Sequence, residues 1–496
     1  MRIVVSNTVA LNGGDAAILY ATVDILRRAF GEPLEIVASD LQAEAAARHH
    51  PGLRFCPSLH AAVSNWAGGG PPRKLALLLT LGVAACGGGR LGALARSLLP
   101  APLRRTLAAY AAADLVVSAG GTYLVPHYDL TPKLFDFLVT LALRRRLVLF
   151  TQSLGPFDGL RQRWLLRFVL RRARLVLVRD ERSVGHLRAL GVTANVRVAA
   201  DAAFALAPAG VGAESSGRLP RSPRVAVSVR DWPHFRQGAQ AGMERYRAAV
   251  AAFAADLVQR HGAEVTFLST CQGTADYWTD DSAVAERIVA LTPAEARAHI
   301  AVDRDFRTPT QLLDRLAEFD MVVATRMHAA ILALCAGTPV LAIAYEFKTR
   351  QLFARLGMDD FTLDVETLTG ESLIDAWERL AMALPQLGAT LWPAVARERQ
   401  SALGVATVLA ERVGRSLARD QRQAAEQDRG AGRAHGHGAP EAAQAERQAD
   451  ADDVERGGRD DEAGRIAGRR SGLGKLEAVG VTVEDGERHD DRNRRP

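Results

Sequence analysis

The stretch ATRMHAAILALCAGTPVLAIAYEFKTR, residues 324 to 350, sets an arginine and a histidine directly before an apolar run that carries no charge. MVVA reads as a buried strand and HAAILALCA as a helix that is apolar on every side. Thr325 is a suitable N-cap, which would place Arg326, Met327 and His328 in the first helical turn. That turn carries unpaired N–H groups and the positive end of the helix dipole, so a cation there is unfavourable for the helix alone. An anion seated between Arg326 and His328 would resolve the conflict. The plainer alternative is that Arg326 pairs with a neighbouring carboxylate and His328 is a satisfied core histidine.

Other strand ends carry similar groups. Arg230 follows the strand RVAVSV, with Asp231 as a potential partner. Tyr345, Glu346 and Lys348 follow VLAIA. Lys348 can reach a phosphate and Glu346 can take a proton from a hydroxyl, although a salt-bridged rim explains both as well. TVALNGGDAAIL sets two glycines between a strand and a helix, like a phosphate-cradling turn, with Asp15 as the expected cap. It lacks both G-x-G-x-x-G and G-K-[ST]. Asp15 would repel a phosphate, so a sugar hydroxyl suits Asn12 and Asp15 better, with Gly14 between them. Gly120 and Gly121 in SAGGTYL, and Gln152 in QSLGPF, mark two further strand ends that can bind substrate or form only tight turns. No zinc-type, H-E-x-x-H or G-x-S-x-G pattern occurs.

These loops need a scaffold. A chain of 496 residues exceeds one compact core and predicts two domains. Near-continuous apolar strands alternating with helices predict α/β architecture, with parallel sheets covered on both faces. The expected organisation is two doubly wound domains, residues 1–206 and 224–370, joined by a Gly/Pro/Ser-rich linker at 207–223. Helices over 371–418 follow. The remainder, 419–496, is poor in large apolar residues, predicts a disordered tail, and makes His435 and His437 incidental. Paired doubly wound sheets hold ligands at the carboxyl ends of their strands, where the loops above fall.

A formal charge of +6 favours anionic partners weakly, and no compact basic tract points to nucleic acid. Four cysteines without metal or redox spacing suit a reducing cytosol, and Cys335 reads as a small hydrophobe. The N-terminus turns polar too early for a secretory leader, so a cytoplasmic location is expected. LALLLTLGVAAC, residues 75 to 86, is too short for the ~20 residues of a spanning helix. Arg73, Lys74, Arg90, Arg96, Arg104 and Arg105 flank it. We read a core helix with a solvated basic face. The alternative is a helix resting on an anionic membrane surface at the inner face, a weak peripheral contact.

The segments NGGDAAIL, VVSAGGTYL, TQSLGPF, LVRDERSVGHLRALGV, DAAFAL, VSVRDW and ATRMHAAILALCAGTPVLAIAYEFKTRQLFARLG together resemble the polysaccharide pyruvyl transferase family, in family order from about residue 3 to 365. Met327 replaces a more usual leucine, and DAAF keeps Asp201 but loses the family's proline. The resemblance implies a GT-B-like fold of two Rossmann-like domains. It implies transfer of the enolpyruvyl carbons of phosphoenolpyruvate onto two hydroxyls of a glycan or lipid-linked sugar. Carried over, Arg230 and Arg326 would hold the donor's carboxylate and phosphate, and His328 would be the general acid. No cofactor or metal is implied. Forked guanidinium groups suit so compact an anion, and a histidine with an ordinary pKa near ~6.5 suits protonation of its methylene carbon. The competing readings are a GT-B glycosyltransferase using a nucleotide sugar, and an inactive glycan-binding relative.

Overall fold

A computed structural model of the chain describes residues 1–415 and 419, apart from 87–89, 127, 213–216, 272–273 and 275. The predicted tail from 420 onward, with His435 and His437, lies outside the described residues, as does the Arg90 side chain.

The first half runs β1 (Arg2–Thr8), α1 (Gly13–Phe30), β2 (Glu35–Asp40), α2 (Ala43–His49), β3 (Arg54–Pro57), α3 (Leu59–Ala67), α4 (Gly70–Ala85), α5 (Arg90–Ser97) and α6 (Ala101–Ala112). It continues through β4 (Leu115–Ser118), β5 (Gly121–Leu124), α7 (Thr131–Ala142), β6 (Arg146–Leu154), α8 (Leu160–Arg172), β7 (Leu175–Val178), α9 (Glu181–Ala189) and β8 (Val196–Val198). A 3-10 turn at Ala202–Leu206 leads to the second half. There β9 (Arg224–Ser228), α10 (Ala239–His261), β10 (Glu264–Leu268), α11 (Asp281–Val289), α12 (Ala294–Arg297), β11 (Ile300–Asp303) and α13 (Pro309–Leu316) are followed by β12 (Met321–Ala324) and α14 (Met327–Cys335). The chain then forms β13 (Val340–Ala344), α15 (Phe347–Arg355), β14 (Thr362–Asp364) and α16 (Gly370–Leu409).

Both sheets are parallel and follow one winding order. The first runs β3-β2-β1-β4-β6-β7-β8, with β5 paired to β6; the second runs β11-β10-β9-β12-β13-β14. In each, the chain reverses direction between its first and fourth strands, β1/β4 and β9/β12. A crevice opens at such a switch point outside the carboxyl ends. This is the α/β, doubly wound, GT-B-like arrangement expected. Strands such as β6 and β13 are buried along nearly their whole length because helices cover both faces.

Local details depart from expectation. Asn12, not Asp15, caps α1: its side-chain oxygen accepts from the Gly14 and Asp15 amides at 2.9 and 3.4 Å. Gly31, at φ 70°, ends that helix. Thr325 does not cap α14. Its hydroxyl is taken by the buried Tyr246 hydroxyl at 2.8 Å, and Arg326 occupies the N-cap in extended conformation without a side-chain cap bond. The predicted helices after residue 370 are one helix, α16, which continues through Pro385 and Pro393 into a π turn at Ala410–Gly414. Pro removes a backbone donor and ordinarily kinks a helix. Packing offsets that cost here: α16 lies against α1, α10 and the 202–206 turn, burying Trp377, Leu380, Leu391 and Val395. Burial of such side chains contributes about 1.5–3 kcal/mol each. Ser401 accepts from the Ala200 amide at 3.0 Å and Arg399 donates to the Ala207 carbonyl at 2.7 Å. One core therefore runs from β1 through the second sheet to α16.

The Leu75–Cys86 segment is not a core helix. Of α4 only Ala76, Thr80 and Ala84 are buried, against α3 and α7. Leu75, Leu78 and Leu79 point outward because their spacing puts them on the face opposite those small residues, while Leu77 and Leu81 pack partly against the core. No helix among the described residues is long and apolar enough to cross a membrane.

Candidate active site

A cavity of about 480 Å³ lies over the two switch points. Loops after β1, β4, β9, β12 and β13 line it with Asn12, Asp15, Gly120, Arg230, Arg326, His328, Tyr345 and Lys348. Eight of the twelve residues expected from the sequence thus share one space. The other four, Gly14, Gly121, Gln152 and Glu346, act from behind it or at its edge.

Arg326 is already engaged. Its Nε and Nη2 donate to the two carboxylate oxygens of Asp281 at 2.5 and 2.7 Å, and Asp281 is fully buried at the start of α11. Burial opposes the guanidinium charge, and the Asp281 carboxylate overcomes that, holding the Arg326 pKa above its usual value. So the neighbouring carboxylate, set aside as the plainer alternative, is present. Two of the five donors are committed to it, and the side chain still borders the cavity.

Arg230 is held differently. Its Nε donates to the Asp231 carbonyl at 3.1 Å, so the backbone and not the Asp231 carboxylate is its partner. The guanidinium lies over the Tyr345 ring, 4.3 Å from the centroid, and over Trp232 at 5.1 Å. Aromatic faces attract a cation without neutralising it, which fixes the plane of the fork while leaving its charge available.

His328 stands in the first turn of α14, partly exposed to the cavity. Its Nε2 lies 3.4 Å from an Asp201 carboxylate oxygen, an ion-pair distance longer than a close hydrogen bond. Asp201 is buried and paired with Arg179, whose Nε also donates to Ser153 at 2.9 Å and whose Nη2 donates to Thr122 at 2.7 Å. Burial raises the Asp201 carboxyl, but Arg179 and His328 outweigh it and hold that carboxyl well below the ordinary range. Asp201 is thus an ionised, immobile group that faces the buried His328 Nε2 without a formed hydrogen bond.

The glycines of NGGD do not cradle a phosphate. A Cβ on Gly13 would lie 2.9 Å from the Thr270 carbonyl, which accepts the Gly13 amide at 2.6 Å. A Cβ on Gly14 would lie 2.7 Å from the His328 Cβ and 2.8 Å from its Nδ1. The glycines let α1 approach the second sheet's loops, and this brings Asp15 into the cavity beside His328. Burial pushes the Asp15 carboxyl up, against the pull of His328, Arg179, Lys348 and Arg326, the charges it faces.

Gln152 is fully buried and does not line the cavity. Its amide donates to the Ala119 carbonyl at 2.6 Å and the Tyr123 hydroxyl at 2.8 Å, so it sets Tyr123, which does line the cavity. Gly121, at φ 154°, lets the chain turn under the Tyr123 ring, and a Cβ on Gly120 would collide with the Thr151 hydroxyl. Glu346 is paired with Lys348 at 2.6 Å, as the salt-bridged reading had it; Lys348 also reaches Thr122 across the cleft at 3.3 Å.

Sequence reasoning missed Arg179, Asp281, Tyr123, Lys133 and Asp136. The last two enter from α7, and burial holds the Asp136 carboxyl up at about 7. RDERS did signal Arg179, as a charge at the end of an apolar strand. Among the described residues no group of His, Cys, Asp and Glu is placed to hold a metal ion.

Comparison with known proteins narrows what this site can be. The chain is 27% identical over 269 residues to the amylovoran biosynthesis protein AmsJ of Erwinia amylovora, covering 53% of this chain and 64% of that protein. It thus spans less than two thirds of that relative. Among solved structures it resembles the UDP-GlcNAc 2-epimerase of Methanocaldococcus jannaschii, with a TM-score of 0.50 and 11% identity, over 83% of this chain and 99% of that one. A likeness at that identity concerns the fold alone. The family model described as polysaccharide pyruvyl transferase matches residues 12–346, a span that includes Asn12, Asp15, Asp201, Arg230, Arg326 and His328. The chain belongs to the polysaccharide pyruvyl transferase family.

Proposed function

We propose that the protein moves the enolpyruvyl group of phosphoenolpyruvate onto two hydroxyls of a sugar in a surface glycan or its precursor. The product is a pyruvate ketal, and phosphate is released. The observation that carries this reading is the convergence of Arg230, Arg326, Lys348 and His328 on one cavity, with Asp15 of α1 facing them.

Arg230 and Arg326 grip the donor's carboxylate and phosphate, with Lys348 adding a point charge. Arg326 is fixed by Asp281 and Arg230 by its aromatic neighbours, so both are organised before the donor arrives. His328, whose Nε2 faces the Asp201 carboxylate, gives its proton to the donor's methylene carbon. The adjacent carbon becomes electron-poor, and one sugar hydroxyl attacks it. The C–O bond to phosphate then breaks and the second hydroxyl closes the ring. Of the two hydroxyl protons, one returns the histidine to its charged form and the other departs with phosphate. Asn12 and Asp15 hold the acceptor hydroxyls on the α1 side.

The test is donor choice. Incubated with a glycan acceptor, the protein releases phosphate from phosphoenolpyruvate and no nucleotide from UDP- or GDP-sugars. Nucleotide release without phosphate release would replace this reading with glycosyl transfer.

A further inference from the structure

We infer that α4 and α5 seat the protein on the surface of a lipid bilayer that carries anionic headgroups. Leu75, Leu78 and Leu79 are 59%, 66% and 51% exposed, and Leu94 and Leu98 on and just beyond α5 are 63% and 81% exposed. In α4 the three leucines stand at i, i+3 and i+4, on one face, while the small residues Ala76, Thr80 and Ala84 pack onto α3 and α7. A helix that shows three neighbouring leucines on its outer face, while Leu77 and Leu81 pack inward, leaves an apolar stripe in water. An apolar face of this kind marks a binding surface.

Charge identifies the occupant. From Ala45 to Ala113 the chain contains no Asp or Glu, while Arg73, Lys74, Arg96, Arg104 and Arg105 lie within the same stretch. Lys74, Arg104 and Arg105 are exposed. A second copy of the chain would bring the same cationic surface against itself, which disfavours self-association through this face. Anionic headgroups complement the arginines, and the acyl boundary beneath them takes the leucines, the usual division for a helix lying in the interface. Seating rather than spanning follows from the length of α4, which has 16 residues.

The placement also suits the cleft. The helices beneath α4 carry His60 and Lys133 to the cavity, so one helical layer separates the exposed leucines from the site. A sugar carried on a membrane lipid would be within reach, an extension that rests on the function proposed above; the docking does not.

The experiment is sedimentation of the full chain with vesicles of phosphatidylcholine alone and of phosphatidylcholine mixed with phosphatidylglycerol. The protein sediments with the mixed vesicles and stays in solution with the neutral ones, and added salt weakens the binding. Arg104→Glu with Arg105→Glu lowers affinity at least about 25-fold, at about fivefold for each basic residue removed, with repulsion of the new carboxylates added to that. Leu78→Glu with Leu79→Glu lowers it at least about tenfold. Both variants keep the parent melting temperature and the parent phosphate release with a water-soluble acceptor, which separates this test from that of the activity. The inference is overturned if the parent ignores mixed vesicles or if both variants sediment like the parent. It is equally overturned if the parent is a dimer that the leucine variant splits while vesicles go unbound.

Discussion

Gly14→Ala tests how the cleft is built. In an isolated helix the change would be favourable by up to about 1 kcal/mol, because glycine is the poorer helix former. Here the new methyl would sit 2.7 Å from the His328 Cβ, where ordinary contact begins at 3.4 Å. The obstructing atom is the first of its side chain, so a rotamer change cannot move it away. α1 and α14 must part by about 0.7 Å, and overpacking of this sort costs about 1–3 kcal/mol. The steric term therefore exceeds the propensity term, and the melting temperature falls slightly. The larger effect is on turnover, since a misplacement approaching 1 Å at a reacting group costs up to about 100-fold. Phosphate release should show kcat reduced about 10- to 100-fold while the far-ultraviolet circular dichroism is unchanged. A Gly14→Ala protein with parent kcat and a raised melting temperature would refute the claim that α1 packs directly on His328.

Three further outcomes follow from the geometry. Arg230→Lys keeps a charge but loses the fork and its stacking on Tyr345, so the KM for phosphoenolpyruvate should rise about tenfold in initial-rate assays, and an unchanged KM would remove Arg230 from the donor site. Asp281→Ala leaves Arg326 buried beside no carboxylate and should destabilise the fold by about 3–5 kcal/mol in thermal unfolding; a parent-like melting temperature would show the pair to be unimportant. Asp136 holds its proton up to about 7 in the fold but ionises near its ordinary 3.8 when unfolded. Its contribution is therefore complete below about pH 4 and is lost as pH rises to about 7. Asp136→Asn should gain stability over the parent through that window, on the order of 4 kcal/mol by neutrality, whereas parallel pH–melting curves would exclude the shift.

The strand-end loops were legible in the sequence because each has a local signature: an apolar run, then a charged or glycine-marked turn. Arg230, Arg326 and His328 stand out for that reason. The winding order of two parallel sheets then brings them together without further information. What fixes those side chains was not legible. Asp281 lies 45 residues before Arg326, and nothing in DSAVAER distinguishes it from a helix-capping acid. Asp201 was visible as a retained residue, but its link to Arg179 depends on two neighbouring strands of one sheet. The cap of α14 was misread because Thr325, a good cap by type, is drawn away by Tyr246. Gly13 and Gly14 looked like an anion turn because close backbone approach leaves the same trace whether the neighbour is a phosphate or another loop. α4 was misread as core because hydrophobicity reports the composition of a helix, not which of its faces the fold covers.

The central claim is that His328 protonates the donor's methylene carbon in a cavity built for a compact anion. The most direct measurement is the reaction in deuterium oxide with phosphoenolpyruvate and a glycan acceptor, followed by nuclear magnetic resonance of the product. Protonation by His328 yields a pyruvate ketal whose methyl group carries one deuterium, and His328→Ala yields no ketal from a protein that melts like the parent. Ketal formation by His328→Ala at the parent rate, or a product without solvent deuterium in its methyl group, would contradict it.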